Sequence, residues 1–166
     1  MNEPVTVWIV EDDEEDARDA CDVVKKVSTA FQSDATVYWS DNFAWDRGPV
    51  LRTAIDGNLP PNTESDYPDV VVMDLCLRTP NGEELRGNGF YQKLRDFETH
   101  KPEGRPAFVI FWSLHQGRRD TDEFVGRAVD SDARIIPLGS KRPELLMQKL
   151  LNLWRRVLDE REERSR

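Results

Sequence analysis

Four short segments constrain the fold more than anything else in the chain: Val5 to Val10, Val70 to Met73, Phe108 to Trp112 and Arg134 to Leu138. Each is almost continuously apolar and four to six residues long. A strand with one wet face alternates polar with apolar residues, whereas a strand covered on both faces reads as a continuous apolar run. A fifth segment, Thr36 to Trp39, is more mixed and suits a sheet edge. Between the runs, apolar residues recur at helical spacing: Ala17, Ala20, Cys21, Val24 and Val27; Phe90, Leu94 and Phe97; Phe124, Ala128 and Val129. The clearest helix begins near Pro143, with Leu146, Leu150, Leu153 and Val157 as one stripe widened by Met147, Leu151, Trp154 and Leu158.

Strand and helix alternating five times predict βα units joined by right-handed crossovers, hence an α/β fold: a three-layer, doubly wound sandwich around a five-stranded parallel sheet. At 166 residues the chain suits one domain, 1–166. Two connections exceed ordinary length, near 56–69, with Pro60, Pro61 and Pro68, and near 78–89, with three glycines. The charged tail 159–166 reads as a solvated, fraying helix end or a cut linker.

A net charge of −9 opposes phosphate backbones and anionic membranes, so neither direct nucleic-acid binding nor membrane association is expected. No apolar run approaches the roughly 18 residues that span a bilayer, and the N-terminus lacks a basic stretch followed by an apolar one. Cys21 and Cys76 lie far apart, without Cys-x-x-Cys or Cys-His spacing, which argues for a reducing cytoplasm and against a disulfide framework or a zinc site.

In such a sheet the strand C-termini share one edge, where ligands bind. The residues delivered there are Glu11, Asp12 and Asp13 after the first strand, Asp74 after the third, Ser113 after the fourth and Lys141 just after the fifth. Clustered carboxylates at a strand tip either cap the next helix or hold a hard divalent cation, since like charges about 4 Å apart repel by roughly 4 kcal/mol near a protein surface. Together the residues make chemical sense as a phosphoryl-acceptor site: acids for magnesium, Asp74 as carboxylate nucleophile, Ser113 as hydroxyl donor and Lys141 as the cation for developing charge.

Along nearly the whole chain, in order, these motifs resemble the response-regulator receiver domain of two-component signalling, the CheY-like superfamily. Val7-Trp-Ile-Val-Glu-Asp-Asp13 resembles its first strand with an acidic pair at Glu11 and Asp12. Val70-Val-Val-Met-Asp-Leu75 resembles the third strand, Phe108-Val-Ile-Phe-Trp-Ser113 the fourth, and Ile135-Ile-Pro-Leu-Gly-Ser-Lys141 the fifth. The resemblance implies strand order 2-1-3-4-5, as in flavodoxin-like sheets, and magnesium-dependent phosphorylation of Asp74 by a sensor histidine kinase or phosphotransfer protein. Asp12 and Asp74 would bind Mg2+ directly, Glu11 through water, and the backbone carbonyl of Cys76 would complete the set. Ser113 and Lys141 would stabilise the phosphoryl group and switch an unknown downstream protein partner.

Departures accompany the matches. The aromatic residue usual three positions before the lysine is Leu138, and Arg142 separates Lys141 from Pro143. Cys76 and His115 occupy positions where receivers tune dephosphorylation. The aromatic cluster Tyr38, Trp39, Phe43 and Trp45 reads as packing, and the apolar face around Trp154 suggests a homodimer. Three rival readings stand beside the receiver. A phosphorylation-independent, receiver-like binding module keeps the fold without the chemistry. A magnesium-dependent phosphohydrolase with an aspartyl nucleophile would need a second acid where Cys76 stands. A flavodoxin-like nucleotide binder would need a Ser, Thr or Gly loop where Glu11 to Asp16 stand.

Overall fold

A computed structural model describes residues 3–40, 53–54, 67–78, 84–99, 105–113 and 119–166. Strand β1 (Val5–Val10) runs into helix α1 (Glu14–Ala30), followed by β2 (Ala35–Ser40), the two-residue β3 (Thr53–Ala54), β4 (Val70–Met73), β5 (Cys76–Arg78), β6 (Glu84–Arg86), α2 (Gly87–Thr99), β7 (Phe108–Trp112), α3 (Arg119–Ser131), β8 (Ile135–Leu138) and α4 (Pro143–Ser165). Five strands are parallel, side by side in the order β2-β1-β4-β7-β8. This is the expected 2-1-3-4-5 sheet, a flavodoxin-like winding.

Because side chains alternate along a strand, each fully buried run feeds two cores. From β1, Val5, Val7 and Ile9 pack with Ala17, Cys21 and Val24 of α1 and with Leu146, Leu150 and Trp154 of α4. Trp8 and Val10 point the other way, into a cluster with Phe90 and Leu94 of α2 and Val125 and Ala128 of α3. The polarity of the runs is thus explained: neither face of β1, β4 or β7 meets water. Each large side chain fully buried here contributes about 1.5–3 kcal/mol.

Several expectations are corrected. The second parallel strand is not an open edge along its whole length, because β3 pairs antiparallel with it at Tyr38 and Trp39. Four helices occur among the described residues, one for each helical spacing in the chain, and the described part of 41–69 adds a strand. The stretch 78–89 is not simply a loop: β5 and β6 form an antiparallel ribbon and α2 already starts at Gly87. Most of 56–69 lies outside the described residues.

The charged tail 159–166 is not wholly solvated, since Glu160 is buried. Helix α4 continues to Ser165, and its last turns are pinned to the sheet's N-terminal edge. Arg161 and Arg164 both pair with Asp69, which also accepts the Thr6 N–H at 2.9 Å. Arg134 meets Glu160 at 2.6 Å while its guanidinium lies 3.9 Å from the centroid of the Phe108 ring. Trp154, on which a dimer through α4 was expected, is buried in the chain's own core and donates its indole N–H to Ser33 Oγ. None of the described helices is long and apolar enough to cross a membrane.

Candidate metal and phosphoryl site

Glu11 directly follows β1 and Asp74 directly follows β4, and the two strands are neighbours, so their carboxylates meet at the C-terminal edge of the sheet. Both are buried, at 1% and 5% exposure, and with Asp12 they present ligand oxygens within 4.8 Å of one another. Three carboxylates at that spacing form a cluster that can hold a metal ion.

The acidic run does not act as a unit. Asp13 caps α1, its Oδ1 accepting the Asp16 N–H at 3.0 Å. Glu11 and Asp12 instead join Asp74. The capping reading therefore holds for Asp13, while Glu11 and Asp12 belong to a cluster that could hold a metal ion. The turn is anchored twice more: Glu11 Oε1 accepts the Asp13 N–H at 3.2 Å, and the Trp39 indole donates to the Glu11 carbonyl at 2.8 Å. Trp39, read as packing, also tethers the acidic turn. Phe43, Trp45 and His115 lie outside the described residues.

Asp74 has its two carboxylate oxygens differently engaged. Oδ1 accepts the Ser113 hydroxyl at 2.7 Å and the Cys76 N–H at 2.8 Å. Oδ2 lies 2.6 Å from Lys141 Nζ. Ser113 is fully buried at the end of β7, and its N–H donates to the Leu138 carbonyl of β8 at 3.2 Å, which fixes it beside the strand that leads to the lysine. Lys141 also reaches Glu11 at 2.6 Å and Asp16 at 2.9 Å. The Arg142 inserted before Pro143 is absorbed as the extended N-cap of α4, so the lysine still reaches the cluster.

Electrostatics here are those of acids gathered out of water. Burial pushes the Glu11 carboxyl up to about 8, the Asp74 charge adds to the rise, and Lys141 opposes it. For Lys141, burial works against the charge, but Glu11 and Asp74 outweigh it and hold the ammonium above its usual range. In effect the lysine is the resident counter-charge of the cluster.

Two further residues shape the site and carry no strong signal in sequence. Gly87 starts α2 where the β5–β6 ribbon returns to Asp74; its N–H donates to the Leu75 carbonyl at 2.7 Å. A Cβ there would overlap the Asp74 carbonyl oxygen and come within 2.9 Å of Leu75 Cα, so only glycine fits this close approach. Asp16, hidden in the acidic run, supplies the third carboxylate to Lys141. Leu138, the position expected to carry an aromatic switch, is a buried core side chain opposite Trp112 in the β7–β8 register. Cys76, in no disulfide, is half-buried at the head of β5, opposite Arg86 in the ribbon. The chain matches no known protein-family model, and no curated protein is significantly similar to it.

Proposed function

We propose that this chain is a phosphoacceptor receiver: Asp74 takes a phosphoryl group from a histidine kinase or phosphotransfer protein, with Mg2+ bound, and the change alters its affinity for another protein. The observation that carries this reading is the environment of Asp74. A buried carboxylate has a hydroxyl on one oxygen, a lysine on the other, and two more acids beside it. Nucleophile, donor and cation are the groups that phosphoryl transfer to a carboxylate requires.

In the proposed reaction an Asp74 oxygen attacks phosphorus while the bond from phosphorus to the donor's imidazole nitrogen breaks. The imidazole keeps the electron pair and takes up a proton. Ser113 and Lys141 then bind oxygens of the transferred group. Attack by water on phosphorus reverses the state, releasing phosphate and restoring the Asp74 carboxylate. The carboxylate donor set favours a hard cation such as Mg2+, held by Glu11, Asp12 and Asp74, with the Cys76 carbonyl as a further oxygen. When bound, the ion supplies positive charge for the phosphoryl oxygens. Cys21 and Cys76, in no disulfide, fit a reducing cytoplasm.

A phosphohydrolase reading is disfavoured because Cys76 stands where its general acid would be. One observation favours the binding-module reading: Leu138 is locked in the core, so signal would have to leave by contacts other than an aromatic switch. Intact mass and Trp fluorescence, after acetyl phosphate or beryllofluoride with Mg2+, separate the two. A phosphate adduct and a fluorescence change, both absent from Asp74→Ala, are expected. No response in the native chain refutes the phosphoacceptor.

A further inference from the structure

Lys141 is held by one carboxylate more than the metal-capable cluster can offer it. Its ammonium lies 2.6 Å from Glu11 Oε2, 2.6 Å from Asp74 Oδ2 and 2.9 Å from Asp16 Oδ2. An ammonium has three N–H donors, so these three oxygens use them all. Glu11 and Asp74 belong to the cluster, and Asp16 does not. Asp16 sits in the first turn of α1, fixed by the hydrogen bond from its N–H to the Asp13 cap. Its side chain is 31% exposed, so its pair with Lys141 is solvent-screened and contributes little to stability.

A divalent cation in the cluster draws on the lone pairs of Glu11 and Asp74 and repels the ammonium. Of the three carboxylates that hold the lysine, Asp16 alone lies outside that competition. Without it, a flexible four-carbon stem carrying a strongly hydrated charge would turn toward water. We propose that Asp16 is a positioning residue for Lys141, keeping the ammonium at the site when the cation is bound, ready for an oxygen of the transferred group. The role in transfer rests on the receiver reading; the anchoring itself does not.

Two measurements on the full chain test this. The first is the side-chain ammonium signal of Lys141 in 1H–15N spectra, assigned by its loss in Lys141→Met. In the native chain the signal persists when Mg2+ is added. In Asp16→Ala it persists in EDTA, where Glu11 and Asp74 hold the lysine, and is lost with Mg2+. Asp16→Asn, which keeps an oxygen acceptor, retains it. A signal that survives Mg2+ in Asp16→Ala, or vanishes from the native chain with Mg2+, overturns the proposal.

The second is the rate of acetyl phosphate labelling at saturating Mg2+. Asp16→Ala slows it roughly fivefold, the equivalent of one ion pair of about 1 kcal/mol, and Asp16→Asn restores most of the rate. In a Lys141→Met background, Asp16→Ala gives no further slowing, because Asp16 then only repels the phosphoryl group. Equal slowing in both backgrounds would mean a damaged helix and overturn the proposal. No labelling of the native chain would refute the receiver reading instead, and the ammonium signal would still decide whether Asp16 anchors the lysine.

Discussion

Replacing Lys141 with Met removes the resident counter-charge and leaves Glu11 and Asp74 facing each other in the core. Their ligand oxygens lie within 4.8 Å, and at an effective dielectric constant of about 20 two unit charges at that distance repel by about 3.5 kcal/mol. That agrees with the 3–5 kcal/mol, roughly, lost when one partner of a buried ion pair is removed. Where both carboxyls are charged, metal-free Lys141→Met therefore melts about 7–14 °C below the native chain, at about 2–4 °C per kcal/mol for a domain of this size. Protonating Glu11 relieves this repulsion: burial lifts its carboxyl to about 8 even with the lysine opposing the rise, and losing the lysine lifts it further, so the loss is full only well above that pH. Mg2+ reverses the order of effects: with its competitor gone, the cation binds the variant more tightly, and an excess of a hundredfold over Kd restores about 2.7 kcal/mol. Thermal unfolding in EDTA and in Mg2+, followed by circular dichroism, measures both. A variant as stable as the native chain in EDTA would refute the view that the lysine neutralises this cluster.

Asp69→Ala breaks the anchor of α4 by removing the acceptor of Thr6 N–H, Arg161 and Arg164, and should cost about 2–3 kcal/mol in urea unfolding; proteolysis of the last turns should rise with it. Gly87→Ala forces a Cβ against the Asp74 carbonyl, with a loss of about 1–3 kcal/mol and weaker Mg2+ binding measured by calorimetry. Acid stability depends on Glu160 and Asp132. Burial tends to raise both carboxyls, but Arg134 together with Arg105 and Arg156 outweighs it at Glu160, and the Arg134 N–H, Tyr91 hydroxyl and Arg95 outweigh it at Asp132. Depressed folded-state values mean stability that is full above the ordinary carboxyl range and is lost as pH falls through the folded values. Urea midpoints should drop from pH 6 toward pH 3, and less steeply in Glu160→Gln.

The sheet was legible in the chain because burial on both faces leaves a one-dimensional mark. Continuous apolar runs such as Val5 to Val10 and Phe108 to Trp112 can be read without knowing what covers them, and their alternation with helical stripes fixes the winding. Glu11, Asp12, Asp74, Ser113 and Lys141 were legible for the same reason, since parallel strands bring their ends to one edge whatever the intervening loops do. What the chain alone left open was the division of labour within the acidic run. Glu11, Asp13 and Asp16 are chemically alike in sequence, yet one is buried against Asp74, one caps a helix and one holds the lysine. Likewise the charges of 159–166 read as solvent-facing until Asp69 and Arg134 are found beneath them. Local pattern records whether a residue is buried and on which element; which distant charge it meets is decided by how helices and strands pack, and only the tertiary structure holds that.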